Sequence, residues 1–244
     1  MPFTFSHPAI ILPLTFLPRK WFSLTGLVIG SLTPDFEYFI RMRIQSNYSH
    51  TISGLFWFDL PLGIILAFIF HNIVRDSFLV NLPNLLKSRF SNFMQFEWNN
   101  YFKNNWFIVI ISILTGAASH LFWDSFTHEH GYFVRTIPAL SNSIDFFGNH
   151  VPAVKILQHS STIIGGITIL IAMLKITPEK TIIGKSNFKY WGILISLSIA
   201  IITFRLIFGL DYKLLGHFIV TSISAGLISL ILTPLLMNRK TIGF

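Results

Sequence analysis

Five apolar runs dominate the chain, at roughly 54–74, 106–123, 160–174, 190–208 and 217–237. A helix that crosses the ~30 Å hydrocarbon core of a bilayer takes about 20 apolar residues. All five runs but the short third meet or approach that length. Charged positions fall mostly between the runs, so the length and apolarity of the runs predict membrane helices. A sixth apolar region, 9–33, is broken by Pro13 and Pro18 and then by Arg19 and Lys20. It predicts two short helices, re-entrant or interfacial, because broken backbone at membrane depth persists only where protein or a water-filled cavity satisfies it. Residues 79–104 mix apolar and polar positions at near-helical spacing and predict an amphipathic interfacial helix. Residues 131–158, with Gly131, Pro138, Gly148 and Pro152, predict a long loop. The fold class expected is all-α, a polytopic helical membrane bundle of five to six spans. It forms one continuous membrane domain, with the candidate site in 1–165 and the remaining helices in 166–244.

Composition agrees with the pattern. The 244 residues are 52% hydrophobic and 11% charged, with a mean hydropathy of +0.62. Soluble domains carry about 25% charged residues, so the shortfall places the chain in the membrane. The net charge of +8 would suggest nucleic acid on a soluble protein. Here the basic residues lie in loops, where anionic headgroups and topology account for them, and no nucleic-acid partner is expected. The chain has no cysteine, which excludes disulfides and thiolate metal sites and leaves His, Asp and Glu as the available ligands.

Lysine and arginine counts set the expected orientation. Arg75, Lys87, Arg89, Lys103, Lys175, Lys180, Lys185, Lys189, Arg239 and Lys240 share one side. Arg19, Lys20, Arg41, Arg43, Arg135, Lys155 and Lys213 share the other. The excess puts the C-terminus in the cytoplasm and the long loop outside, as expected of a multi-pass protein of the bacterial inner membrane.

The few polar residues collect at one place. Asp35 and His50 precede the first full span or sit at its mouth, and His120 and Asp124 sit at the exit of the second, with His128 after them. Adjacent spans run antiparallel, so these five residues are expected on the same membrane face. His120, Asp124 and His128 lie at i, i+4 and i+8, one face of a helix if it continues. Imidazole and carboxylate on consecutive turns offer two ligands to one Zn²⁺, and a carboxylate can bridge two ions. Charge at membrane depth costs about 2.5–3.5 kcal/mol for an Asp at a helix centre on insertion scales, and a bound cation offsets it. The plain alternative is a hydrogen-bonded polar seam without an ion. His71 and His217 lack a carboxylate at ligand spacing and fit that alternative, while His150 is ambiguous. Arg41, Arg43 and Arg135 serve most simply as interfacial anchors, and they can also clamp a phosphate.

The stretches MPFTFSHP, GSLTPDFEYF, SHTISG, SHLFWDSFTH and KILQHSS resemble the bacterial membrane family catalogued as domain of unknown function number four-one-eight-four, over most of residues 1–165. The pattern is also similar to YdjM-type inner-membrane proteins described as metal-dependent hydrolases. More distantly it is similar to zinc-dependent phospholipases C and nucleases of the same fold, whose sites hold three zinc ions. That resemblance implies a ligand order His7, Asp35, His50, His120-x-x-x-Asp124, His128 or His130, then His159. Two departures matter. The chain begins Met-Pro with six residues before His7, and position 163 is Ile163 where those enzymes carry Asp or Glu. The implied cofactor is therefore a divalent metal, zinc first, in one to three ions and most simply two.

The expected function is a membrane-embedded, metal-dependent hydrolase acting on a phosphoester, most economically a lipid-derived one. His50, His120 and Asp124 hold the central metal, and Asp124 or Asp35 bridges to a second ion ligated by His7. His128 or His130, with His159, forms any further site. Asp35 or Glu37 is the general base or an added ligand, and Arg41 or Arg135 holds the phosphate. The alternative is a transporter or scaffold with a structural polar cluster.

Overall fold

The computed structural model describes residues 3–146, 148–179, 186–209 and 214–237. Lys180, Lys185, Lys213, Arg239 and Lys240, used above for orientation, lie outside the described residues. Among those described, five helices are long and apolar enough to cross a membrane, as in a multi-pass membrane protein. The first short helix of consequence is α1, Leu24–Gly30. The spans are α2 (Ile52–Asn81), α3 (Trp98–Thr127), α4 (Ala153–Lys175), α5 (Phe188–Ile207) and α6 (Leu215–Leu236). Along α4, Ile163, Ile164, Ile167, Leu170 and Ile171 are exposed. An apolar surface of that kind needs lipid around it.

The broken region 9–33 forms Pro8–Ile11, the 3-10 turns Leu12–Phe16 and Arg19–Trp21, and then α1. Pro13 and Pro18 forbid a continuous helix by removing backbone donors. Residues 79–104 divide at Pro83 into the end of α2, a helix Asn84–Phe90, a 3-10 turn Ser91–Gln95 and the start of α3. The long loop 131–158 is more ordered than expected. It holds the short helices Tyr132–Thr136 and Pro138–Ser141 and a hairpin of β1 (Ser143–Phe146) and β2 (Asn149–Pro152), and α4 already begins at Ala153. The hairpin pairs Ser143 with Pro152 and Asp145 with His150. Its turn places Gly148 at φ 78°, a left-handed conformation that favours glycine.

The chain divides into two units. One comprises Met1–Asp35, Tyr48–Ile64 and Asn105–Met173, and the other Phe36–Asn47, Ile65–Asn104 and Leu174–Phe244. In the first, α1 lies along α3 in the same direction. A Cβ on Gly26 would come within 2.8 Å of the Ser112 Cβ, one on Gly30 would collide with the Ile113 backbone, and one on Gly116 would collide with the Leu27 carbonyl. Gly26-x-x-x-Gly30 thus meets Ser112-x-x-x-Gly116, the small-residue spacing by which membrane helices bring backbones together. The Ser23 backbone N–H, at the start of α1, donates to Ser112 Oγ at 2.8 Å.

In the second unit, α6 satisfies a short helix, Phe36–Arg41. Ser224 Oγ donates to the Phe39 carbonyl at 2.8 Å, and Thr221 Oγ1 donates to the Met42 carbonyl at 3.0 Å. The α5 start is tied to the α2 end, where Trp191 Nε1 donates to the Asn81 carbonyl at 2.9 Å.

Candidate metal centre

Four segments of the first unit meet around α3. His7 follows the 3-10 turn Thr4–Ser6, and Asp35 ends the turn Thr33–Asp35 after α1. His50 precedes Thr51, whose hydroxyl caps the start of α2 by accepting from the Gly54 N–H at 2.9 Å. His120 and Asp124 lie one turn apart on α3. His7, Asp35, His120 and Asp124 are buried.

The separations decide the chemistry. His50 Nε2 lies 3.5 Å from Asp35 Oδ1 and 3.5 Å from Asp124 Oδ2. His120 Nε2 lies 3.6 Å from Asp35 Oδ1 and 3.2 Å from Asp124 Oδ2. An N–H···O hydrogen bond spans about 2.7–3.2 Å. By contrast, ligands tetrahedral about zinc at about 2.0–2.2 Å are about 3.3–3.6 Å apart. Three of the four separations have the second spacing, and the His120–Asp124 pair, at 3.2 Å, lies at the edge of the first. Asp35 Oδ1, His120 Nε2 and both Asp124 carboxylate oxygens have no hydrogen-bond partner among the described residues, nor does either His7 nitrogen. Buried polar atoms are rarely left so.

The outer atoms are occupied. His120 Nδ1 donates to the Ser31 carbonyl at 2.7 Å, which leaves Nε2 as the lone-pair nitrogen. His50 Nδ1 meets Ser49 Oγ at 3.0 Å. Thr4 Oγ1 donates to Asp35 Oδ2. This is how outer contacts orient metal ligands.

Two ligand groups emerge, His7–Asp35–His120 and His50–His120–Asp124, each with its donor atoms within 4.8 Å of one another. They share His120, which has only Nε2 to offer and serves one ion at a time. Asp124 turns Oδ2 toward His50 and His120, and Oδ1 toward His7 Nε2 at 3.6 Å and His128 Nδ1 at 3.4 Å. Each Asp124 oxygen thus faces a different pair of imidazoles, and His128 Nδ1 also donates to the Asp124 carbonyl at 3.2 Å. The His7 and His120 rings stack, with centroids 3.6 Å apart.

Burial, then the neighbouring His120, pushes the His7 imidazole down to about 3. Burial would raise the Asp35 carboxyl, but His120 and His50 outweigh it and hold the group well below the usual carboxylate range. Burial would lower the His50 imidazole, but Asp124 and Asp35 outweigh it and raise the group above its ordinary value. The two carboxylates thus call for positive charge between them.

His128 stays beside the cluster, and the remaining sequence candidates lie outside it. The His128 N–H continues the helical ladder to the Asp124 carbonyl at 3.0 Å, which sets its ring beside Asp124. His130 and His159 are exposed and belong to neither ligand group. Glu37, in the second unit, accepts from Arg41 at 2.9 Å, Ser46 Oγ at 3.0 Å and the Asn47 N–H at 2.9 Å. Both Glu37 and Arg41 are therefore engaged in holding the loop after their helix, and Arg135 is exposed. Thr4, Ser31, Ser49 and Asp59 are not among the candidates that the residue pattern singles out. Asp59 is a fully buried acid in a π-helical turn of α2, Leu55–Asp59. An acid inside an apolar run was the signal for it.

A family described as "Domain of unknown function (DUF4184)" matches residues 1–235. No curated protein matches, and no solved structure matches. The chain belongs to the DUF4184 family.

Proposed function

We propose that this DUF4184 protein is a membrane-embedded, metal-dependent hydrolase of a phosphoester at the membrane surface. One observation carries the proposal. The Nε2 atoms of His50 and His120 each lie 3.2–3.6 Å from a carboxylate oxygen of Asp35 and of Asp124, while the outer atoms of His50, His120 and Asp35 bond to protein. His50, His120 and Asp124 would hold a central ion beside Asp35, and His7, with Asp124 and His128 nearby, would serve a second. His130 and His159 fit a further ion poorly, being exposed. A set of nitrogen and oxygen donors without sulfur suits zinc, manganese or iron. A divalent ion there supplies Lewis acidity toward a water nucleophile and toward a phosphoryl oxygen.

The protein's own groups set access. The His50 and His128 side chains are 21% and 29% exposed, against 0% for His7, Asp35 and His120. Substrate therefore approaches past His50 and His128. With Arg41 engaged by Glu37, charge on the phosphoester is met mainly by the ions, with Arg135 left as the outer cation. Asp35 is the better placed of the two candidate bases, because the Glu37 carboxylate is fully used. The lysine and arginine distribution puts this face outside the cytoplasm, and a site at a bilayer face makes a lipid headgroup the economical substrate.

The test is metal analysis of detergent-purified protein, with turnover of a chromogenic phosphodiester. Wild type should carry near-stoichiometric metal and turn over the ester, and Asp124→Asn should do neither. Absence of metal from both samples sinks the proposal. Metal without turnover favours the scaffold or transporter.

A further inference from the structure

We infer that Thr4 positions Asp35 for the ion and couples that orientation to His7. The inference rests on the metal site proposed above. A carboxylate can present either oxygen, or both, to a cation. Here the Thr4 hydroxyl donates to Oδ2, and Oδ1 is left facing His50 and His120. Thr4 and Asp35 are both buried, so no bulk solvent stands ready to replace the hydroxyl. The same residue's carbonyl accepts the His7 N–H at 3.2 Å. One short turn therefore sets the orientation of one ligand and the placement of another.

The turn is itself seated on α4. The Phe3 N–H donates to Thr162 Oγ1 at 3.0 Å. Ser6 lies against Gly165, where a Cβ would come within 2.8 Å of the Ser6 Cβ and 2.9 Å of its carbonyl oxygen. Thr162 and Gly165 lie about one turn apart on α4, the first accepting from the segment and the second leaving room for it. Thr4 is thus a positioning residue, held by an element that contributes no ligand of its own.

Removing outer contacts of this kind costs about 10–100-fold in metal affinity. The experiment titrates Co²⁺ alone into metal-stripped, detergent-purified wild type, Thr4→Ser and Thr4→Val, and records affinity and the visible absorption spectrum. Thr4→Ser, which keeps the hydroxyl, should match wild type. Thr4→Val should bind about 10–100-fold more weakly, with an altered spectrum because Oδ2 becomes free to join the ion. A merely structural role would lower stability without changing the spectrum. Thr4→Ala gives the same comparison if the valine variant does not accumulate folded. Unchanged affinity and spectrum in Thr4→Val, beside normal uptake by wild type, overturn this inference alone. No Co²⁺ uptake by wild type removes the site, and the inference with it.

Discussion

At Arg75, in the second unit, every side-chain nitrogen meets a partner. At His120 and Asp124, in the first, the inner atoms do not. Arg75 donates through Nε to Asp76, through Nη1 to the Phe96 carbonyl and through Nη2 to the Met94 carbonyl, and Nη1 also lies 3.2 Å from His71 Nδ1. The His71 ring stacks on Trp98, with centroids 4.7 Å apart. Both clusters place imidazole and charge in apolar surroundings, where an unpartnered polar group costs about 1–3 kcal/mol on the scale of protein mutations. The His71 cluster meets that cost with protein atoms. The His120 cluster turns its donors toward one another, most of them at 3.5–3.6 Å, too long for good hydrogen bonds. The presence of histidine and acid does not mark a metal site. Inward-facing donors with outer contacts already made distinguish a cluster that could hold an ion.

The largest test of this contrast is metal removal. A chelator should lower the thermal stability of wild type in detergent, by about 4 kcal/mol if the ion had been a thousandfold above its Kd. It should leave the metal-free Asp124→Asn variant where it was. An equal response in both would dissolve the distinction. Next, Asp124→Asn should weaken metal binding by more than about 100-fold, since outer-contact losses alone reach that range. His71→Ala should leave metal content unchanged, and elemental analysis of the two purified variants settles it. Arg75→Met should cost about 1–3 kcal/mol in a denaturation series, because the Met94 and Phe96 carbonyls lose their donor, again with metal content intact.

A smaller effect concerns pH. The His50 imidazole is raised above its ordinary value by Asp124 and Asp35, so the metal-free site favours a proton on that ring more than free histidine does. An incoming ion must displace it. Metal affinity should therefore fall as pH falls, by up to about tenfold per unit for each proton displaced, and calorimetry in buffers of different ionisation enthalpy should detect the released proton. An affinity flat between pH 6 and 8 would argue against His50 as a ligand. The smallest effects belong to His130→Ala and His159→Ala, both exposed, which should change metal affinity by less than about twofold.

Parts of the site were legible from local spacing. His120, Asp124 and His128 form a row because four residues make about one helical turn. Asp35 and His50 could be set near them from the antiparallel course of adjacent spans alone. His7 could not, since nothing local ties it to the others, and only the family resemblance pointed to it. Glu37 and Arg41 were singled out as a base and a phosphate clamp, whereas the structure pairs them at i, i+4 and spends the rest of Glu37 on Ser46 and Asn47. Thr4 and Ser31 stayed hidden for a different reason. Each acts through a hydroxyl or a carbonyl on a residue far along the chain, from Thr4 to Asp35 and from His120 to Ser31. Every serine and threonine has such groups.

The five spans were determined by sequence alone, because transfer of apolar residues into lipid sums along a run and needs no knowledge of neighbours. The broken course of 9–33 was likewise determined by its prolines. Only the tertiary structure decided which face of each ligand turns inward. That choice depends on α1 closing on α3 through Gly26, Gly30 and Gly116, which brings the Ser31 carbonyl to His120 Nδ1. It depends equally on the Thr4 turn seated on α4. Hydrogen-bond direction and close backbone approach belong to the three-dimensional arrangement, and a pattern of residue types does not encode them.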